Sequence, residues 1–424
     1  MHDKITFMHA ADLHIGAPFR GLRALSEEWA SRLIEAIPEA YDRMIQEAID
    51  RNVAFVVIAG DIFDTARPSY ADYLRFFAGM RKLEAAGIPA YLCTGNHDPY
   101  TTWQRDFFAL PENVTMFSAD KPSFALFERE GFPTCVLGGR GYYNQTWPSD
   151  MSIAAGVTRA AADSSLGAYA MEAPFGVGVL HTGLDLDPNK APVPPAKLLS
   201  AGFDYWALGH VHMPYLLTEE DPRIAFSGCI QGRDIKETGP RGVLLVTLEE
   251  GERNRVEFVP TASVVWQRMK VDVADCANLP EVCDQVVREL FRVNGSARCE
   301  EMCVRVTLVG ATALHEVLAR PGVVEDLRKQ INDSYPEFFC DALVDRTRAP
   351  YDIDAMRREG MFPAVFLGAA DSLRENEPEA VAFLQEEFLK RNVALPSSLT
   401  QNVPTLAGEA ERLVIDLLCG GTEK

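Results

Sequence analysis

Residues 5–14 read ITFMHAADLH, residues 53–61 read VAFVVIAGD and residues 88–98 read IPAYLCTGNHD. Each is an apolar run of strand length that stops on a cluster of aspartate, histidine or asparagine. Such runs mark strands buried on both faces, and the stretches between them have helical periodicity, with Ala40, Met44, Ile45, Ala48 and Ile49 on one stripe. The alternation predicts an α/β domain with polar residues at the strand ends, where open α/β sheets place their ligands.

Downstream, TCVLGG, GVGVLH, DYWALGH, RIAFSG and GVLLVTLE read as further strands in a mixed or antiparallel arrangement, and the Pro-rich DPNKAPVPPAK reads as a surface loop. The character changes after about residue 262. VVWQRMKVDV, a helix near 279–292, EMCVRVTLVG, helical segments near 312–334 and CDALVDR form a βαβαβ-like unit. Past Pro350 only helical periodicity remains, interrupted by a polar linker at about 390–404. The last stretch sets Leu406, Ala410, Leu413, Val414, Leu417 and Leu418 on one face. The predicted domains are therefore 1–262, 263–347 and a helical region 348–424.

The chain has 424 residues, of which 47% are hydrophobic and 24% charged, an ordinary globular composition. No window approaches the ~18 consecutive apolar residues of a membrane span, and the first residues lack a signal-peptide pattern, so no membrane partner and a cytoplasmic location are expected. The nine cysteines are odd in number and scattered, which favours reduced thiols. The formal charge of −20 excludes a general electrostatic attraction to nucleic acid, so a phosphate-bearing substrate needs a local positive site. Two divalent ions would supply one without lysine or arginine.

Five of the eight histidines, His14, His97, His181, His210 and His212, fall in short motifs at strand ends. Alone, each would more often be structural. Together with Asp12, Asp61 and Asn96 they form a carboxylate, imidazole and amide set suited to borderline divalent ions such as Mn, Fe or Zn.

At these residues the sequence resembles the calcineurin-like metallophosphoesterases, whose ordered blocks D-x-H, G-D-x-x-D, G-N-H-D/E, H and G-H-x-H occur as Asp12/His14, Gly60-Asp61 to Asp64, Gly95-Asn96-His97-Asp98, His181 and Gly209-His210-Val211-His212. HAADLHIG, IAGDIFD, TGNHDP and FSGCIQGRDIKETGPRGVLLV resemble most the SbcD-type DNA repair nuclease subunits of the YhaO branch. The resemblance implies a metallophosphoesterase β-sandwich flanked by helices, followed by a small α/β capping domain and C-terminal helices.

It further implies a dinuclear site, with Mn as the first expectation and Fe or Zn as alternatives. One ion would take Asp12, His14, Asp61 and His212. The other would take Asp61, Asn96, His181 and His210, with Asp61 bridging. Paired ions ~3.5–4 Å apart lower the pKa of water and clamp the attacking and leaving oxygens of an in-line displacement. His97 would stabilise the phosphorane or protonate the leaving oxygen, and Asp64 would accept its ring N–H. His9 would pack beneath the site. Arg140 and Arg233 could contact phosphate but are single arginines of a kind usually found at surfaces.

The partners so implied are DNA and an SbcC-like or YhaN-like ATPase subunit, with a homodimer as a further option. A small-molecule or nucleotide phosphodiesterase or phosphatase on the same scaffold is the alternative, favoured by the acidity, and a scaffold with an incidental metal site is a third reading. There is no Walker A loop, no G-x-S-x-G elbow, and His315-Glu316 lacks the second histidine of a zinc-protease helix.

Overall fold

The computed structural model describes residues 3–18, 26–103, 109–297, 301–351, 353–358, 362–391, 393, 396, 399 and 403–418. Strands β1 (Lys4–Ala10), β2 (Val56–Ala59), β3 (Ala90–Cys93) and β4 (Val114–Met116) run parallel in one sheet. The chain then builds a second sheet from β5 (Ser123–Arg129), β6 (Phe132–Arg140), β7 (Phe175–His181), β8 (Tyr205–Gly209), β9 (Tyr215–Leu216) and β10 (Ile224–Phe226). It returns to the first sheet with the antiparallel strands β11 (Gly242–Glu249) and β12 (Arg255–Pro260). The strand orders are β12-β11-β1-β2-β3-β4 and β5-β6-β7-β8-β10-β9.

The sheets face each other over an apolar layer in which Phe7, Phe55, Val57 and Val246 meet Val177, Val179, Tyr205 and Ala207. Full burial of such side chains stabilises by roughly 1.5–3 kcal/mol each, and the Phe7 and Phe55 rings stack at 4.7 Å besides. The outer face of the first sheet is covered by the helices Glu27–Asp50 and Tyr70–Ala85, through Ala40, Met44, Ile45, Phe76 and Leu83. Ser26 caps the former by accepting from the Trp29 N–H at 3.2 Å, and Ser69 with Asp72 makes a capping box on the latter. The second sheet packs its outer face, including Val136, Leu180 and Trp206, under Ala162, Leu198 and Phe203. This helix-flanked mixed α/β sandwich is the architecture expected from the sequence. Strands β4, β5, β9 and β12 were not among the predicted ones; they are short or lie partly exposed at the sheet edges, and so lack the buried-strand signal.

By compactness the chain divides into two units. One comprises Met1–Gln267, Val293–Val304 and Glu337–Asp341; the other comprises Arg268–Arg292, Arg305–Pro336 and Ala342–Lys424. A three-stranded sheet has the order β13 (Val264–Asp272), β14 (Glu301–Val309), β15 (Phe338–Asp345), with the helices Leu279–Ala297 and Val323–Ser334 between successive strands, the βαβαβ order anticipated. In the second unit the helix Val403–Leu418 packs on the helices Phe362–Glu375 and Glu377–Lys390, and Glu411 pairs with Arg374 at 2.7 Å. Its face matches the predicted stripe only in part: Val403 and Ile415 are buried and Leu406 and Val414 half-buried, whereas Ala410 is exposed and Leu413 is 61% exposed. The side chains of Leu417 and Leu418 lie outside the described residues. None of the described cysteines is in a disulfide, and no described helix is long and apolar enough to cross a membrane.

Candidate metal centre

Five strands, parallel within their sheets, end at one place. β1 leads into Asp12 and His14, β2 into Asp61, β3 into Asn96 and His97, β7 terminates on His181, and β8 leads into His210 and His212. Strand pairing sets the spacing, since β1, β2 and β3 are hydrogen-bonded neighbours in one sheet and β7 and β8 in the other. The loops there are strained. Asp12, His14, Asp61 and His210 have φ of 51°, 48°, 50° and 104°, left-handed conformations that cost non-glycine residues on the order of 1–3 kcal/mol each. Ladder-like bonds hold them, with Asp12 N–H donating to Gly60 O at 3.1 Å and His14 N–H to Asp61 O at 3.0 Å.

The glycines of the motifs make room for the ligands. A Cβ on Gly95 would stand 2.1 Å from Asp61 Oδ1, and Gly60, at φ 86°, would carry one 2.6 Å from His181 Nδ1. Asp98 ties the same loops together, accepting from Gly95 N–H at 2.9 Å and Ile62 N–H at 3.0 Å while fully buried.

Ligand-type atoms of Asp12, His14 and His212 lie within 4.8 Å of one another, and so do those of Asp12, Asp61 and His181. Asn96 Oδ1 is 3.1 Å from His181 Nε2. Asp12 stands in both groups and Asp61 in one, which differs from the expected placing of Asp61 as the shared carboxylate. His210 is in neither group: its backbone N–H donates to Asp12 and its Nε2 lies 3.1 Å from Asp187 Oδ2.

His212 Nδ1 is 2.6 Å from Glu237 Oε1, so a neutral ring keeps its proton there and Nε2 carries a bare lone pair. His14 Nδ1 lies 3.1 Å from Asp64 Oδ1 but without a well-directed hydrogen bond, in a ring that is 1% exposed. The two Nε2 atoms then face each other at 3.1 Å, an arrangement that repels unless a proton or a cation is shared. The donor set fits borderline divalent ions, and carboxylates on the far nitrogen of His212 and on His210 are the usual means of orienting metal-binding imidazoles.

The electrostatics agree with a site built to hold positive charge. Burial disfavours both charges of the Asp61–His181 pair, but at 3.4 Å their attraction prevails, holding the carboxyl down and raising the imidazole to about 9. Burial pushes His14 down to about 4 despite Asp64. Burial also acts to lower His212, but its hydrogen bond to Glu237 together with the charges of Asp12 and Glu237 outweighs this and the net shift is upward.

His97 packs edge-on against His14, ring centroids 5.1 Å apart, and its backbone N–H donates to Asp61 Oδ1 at 2.8 Å. Its Nδ1 lies 2.8 Å from an Asp64 oxygen, but that oxygen is the main-chain carbonyl and not the carboxylate. A carbonyl only accepts, so Nδ1 carries the proton and Nε2 is left for other chemistry. The Asp64 carboxylate instead binds Arg233 Nη1 at 2.7 Å beside His14. Arg233 also bonds Glu237 and is half-buried, a brace for the histidine loop. Arg140 is 8% exposed and donates to Asp120 O at 2.8 Å. His9 is fully buried, its Nε2 donating to Leu208 O at 3.1 Å and its Nδ1 facing Tyr205 Oη at 2.9 Å.

Sequence reading did not find Glu237 or Asp187. Both are single carboxylates among sixty-one acidic residues. Glu237 falls inside the FSGCIQGRDIKETG stretch singled out for its family likeness, and that was its only signal.

Residues 5–214 match the family model for calcineurin-like phosphoesterases, and residues 266–348 match that for the middle domain of the metallophosphoesterase YhaO. The chain is 31% identical over 341 residues to the uncharacterized metallophosphoesterase YhaO of Bacillus subtilis, covering 78% of each chain. It is 24% identical over 380 residues to the DNA double-strand break repair protein Mre11 of Methanopyrus kandleri, covering 83% of this chain and 75% of that one. To the SbcD component of the nuclease SbcCD of Escherichia coli it is 32% identical over 136 residues, 31% of each chain. A family of this fold implies a dinuclear divalent metal site, for which the clustered aspartates and histidines are the candidate ligands. The chain thus belongs to the calcineurin-like phosphoesterases, with a YhaO-type middle domain, and is a metal-dependent phosphoesterase, a hydrolase.

Proposed function

We propose that this hydrolase is a DNA nuclease of DNA repair, an exonuclease or endonuclease working in the cytoplasm as the nuclease subunit of a complex with an SMC-like ATPase of the SbcC or YhaN type. The observation that carries it is the convergence of Asp12, His14, Asp61, His181 and His212 at one end of the sandwich, in a chain whose relatives include proteins named for double-strand break repair and for the nuclease SbcCD. In this reading 1–262 is the nuclease domain, 263–347 a capping domain, and 348–424 the helical region that engages the ATPase.

Asp12, His14, Asp61 and His212 would hold one ion. Asp61, Asn96, His181 and His210 would hold the other, with manganese the favoured metal. The bound ions supply the positive charge that attracts a phosphodiester and the Lewis acidity that activates water. His97, with Nδ1–H fixed on the Asp64 carbonyl, leaves Nε2 free; carrying a second proton there, the ring would hydrogen-bond the transition state or give that proton to the leaving oxygen. Glu237 and Asp187 orient His212 and His210.

The net charge of −20 favours a second reading, a phosphodiesterase or phosphatase for nucleotides or other small molecules. The full chain, loaded with Mn, Fe or Zn in turn, is to be incubated with linear duplex, single-stranded and hairpin DNA beside an aryl phosphodiester. Degradation of DNA with Mn is the expected result. Turnover of the small ester alone, with every DNA intact, selects the second reading.

A further inference from the structure

Beside the metal centre lies a cavity of about 440 Å³, walled by residues 147–152 on one side and by Pro188, Asn189, Ala191 and Pro192 on the other. Its volume falls in the range of small-molecule sites. The lining is of two kinds. Trp147, Met151, Pro188 and Pro192 are flat or apolar, and Asp150 and Asn189 are polar.

The indole of Trp147 is anchored. Its Nε1–H donates to Met151 O at 2.6 Å, the Arg140 guanidinium sits 4.9 Å from the ring centre, and Tyr142 meets it edge-on at 5.4 Å. Such fixing removes the entropy that an aromatic side chain would otherwise lose on stacking a ligand.

Both walls are tied to the candidate ligands. Tyr142, which touches Trp147, also meets the His181 ring edge-on at 5.7 Å, placing the indole within roughly 11 Å of that histidine. On the other wall, Asn189 N–H donates to Asp187 Oδ1 at 2.9 Å, and the other oxygen of the same carboxylate faces His210 Nε2. The Ala191 carbonyl accepts from Thr182 Oγ1 at 2.7 Å, one residue past His181.

From this we infer that the cavity is a nucleobase subsite: Trp147 stacks a base whose sugar leads to the phosphodiester at the metal centre, and Asp150 and Asn189 read its polar edge. A carboxylate in the lining repels a second phosphate but accepts from an exocyclic amino group, so guanine, adenine and cytosine bind in preference to thymine. The base belongs either to an unpaired DNA strand or to a free nucleotide. The proposal deepens the nuclease reading, which supplies the strand, but its test separates the two.

The full Mn-loaded chain is to be assayed on single-stranded oligonucleotides carrying one abasic nucleotide at successive positions. For the wild type, removing the base at one position relative to the cleaved bond is expected to lower kcat/KM about tenfold or more, the usual worth of one stacked base. Trp147→Ala should lose a similar factor on intact DNA and become indifferent to the abasic site. Asp150→Ala, at an exposed position, should lose the preference against thymine.

An abasic profile in Trp147→Ala identical to that of the wild type, with metal content and melting temperature retained, overturns the proposal. If Trp147→Ala melts early, Trp147→Phe and Asp150→Ala decide. Phe should keep the abasic profile, and loss of base preference in Asp150→Ala sustains the subsite, whereas unchanged preference refutes it. If the wild type cleaves an aryl phosphodiester but no DNA, the nuclease reading fails by itself. Equilibrium dialysis of dGMP, dAMP, dCMP and dTMP then tests the cavity: binding that weakens in Trp147→Ala assigns it to a free nucleotide, and equal or absent binding in both proteins overturns it.

Discussion

The Nε2 atoms of His14 and His212, 198 residues apart in sequence, face each other at 3.1 Å, while the Nδ1 of each ring faces a carboxylate, that of Asp64 or of Glu237. Two ring nitrogens held this way share either a proton or a cation, and the Glu237 carboxylate on the far side of His212 leaves its Nε2 as the acceptor. His212 cannot turn away without giving up its bond to Glu237, at a cost of about 1–3 kcal/mol.

Glu237→Gln should therefore weaken metal binding without removing a ligand. The amide cannot hold the His212 Nδ1–H as an ionised acceptor does, and partners of this kind are worth about 10–100-fold in affinity. Metal titration followed by calorimetry checks it; unchanged affinity would show that His212 is oriented by something else.

Asp61→Asn distinguishes the shared carboxylate. If Asp61 serves both ions, the variant should bind one or none and lose at least about 100-fold in turnover. Asp12→Asn is the control, because Asp12 stands both with His14 and His212 and with Asp61 and His181. Elemental analysis showing two ions per chain in Asp61→Asn and fewer in Asp12→Asn would transfer the bridging role to Asp12.

His97→Ala should keep its metal yet lose about 10²–10⁴-fold in rate, the usual contribution of one positioned proton donor. The Asp64 carbonyl, not its carboxylate, holds the ring, so Asp64→Asn should leave the His97 contact in place and act on His14 and Arg233 instead. A fall in metal content in His97→Ala would make His97 a ligand.

His9 carries a pH signature of its own. Burial lowers its pKa to about 3 from 6.5, so above pH 6.5 it is neutral folded or unfolded and contributes no pH dependence. As pH falls from 6.5 towards 3 only the unfolded chain takes up the proton, and stability drops by about 1.4 kcal/mol per pH unit from this group. Denaturant unfolding of the metal-free protein at pH 7 and pH 4.5 should show a smaller acid loss for His9→Gln than for the wild type. Equal losses would mean that His9 does not titrate in this window.

The strand-ending motifs were legible because their requirements are local. A run such as VAFVVIA buries both faces wherever it sits, whereas the need for Gly60 and Gly95 is tertiary, since a Cβ there would collide with His181 or Asp61. The helical stripe of Ala40, Met44, Ile45 and Ala48 was readable for the same reason, as it packs on the sheet directly after it. The face of Val403–Leu418 was legible only in part, because periodicity shows that a helix has an apolar side but not which neighbour claims it. Ile415 is buried and Leu413 exposed only because of where the helices Phe362–Glu375 and Glu377–Lys390 lie.

Within the site the sequence by itself determined the residue types and the strands that end on them: Asp12, His14, Asp61, Asn96, His97, His181, His210 and His212. Tertiary structure decided which atoms meet. That Glu237 holds His212, that Asp187 holds His210, and that Asp64 offers a carbonyl to His97 and a carboxylate to Arg233 depends on loops brought together across two sheets. A hydrogen bond is made at about 3 Å with a directed donor. No spacing along the chain encodes that distance between residues twenty-five, thirty-three or 169 positions apart.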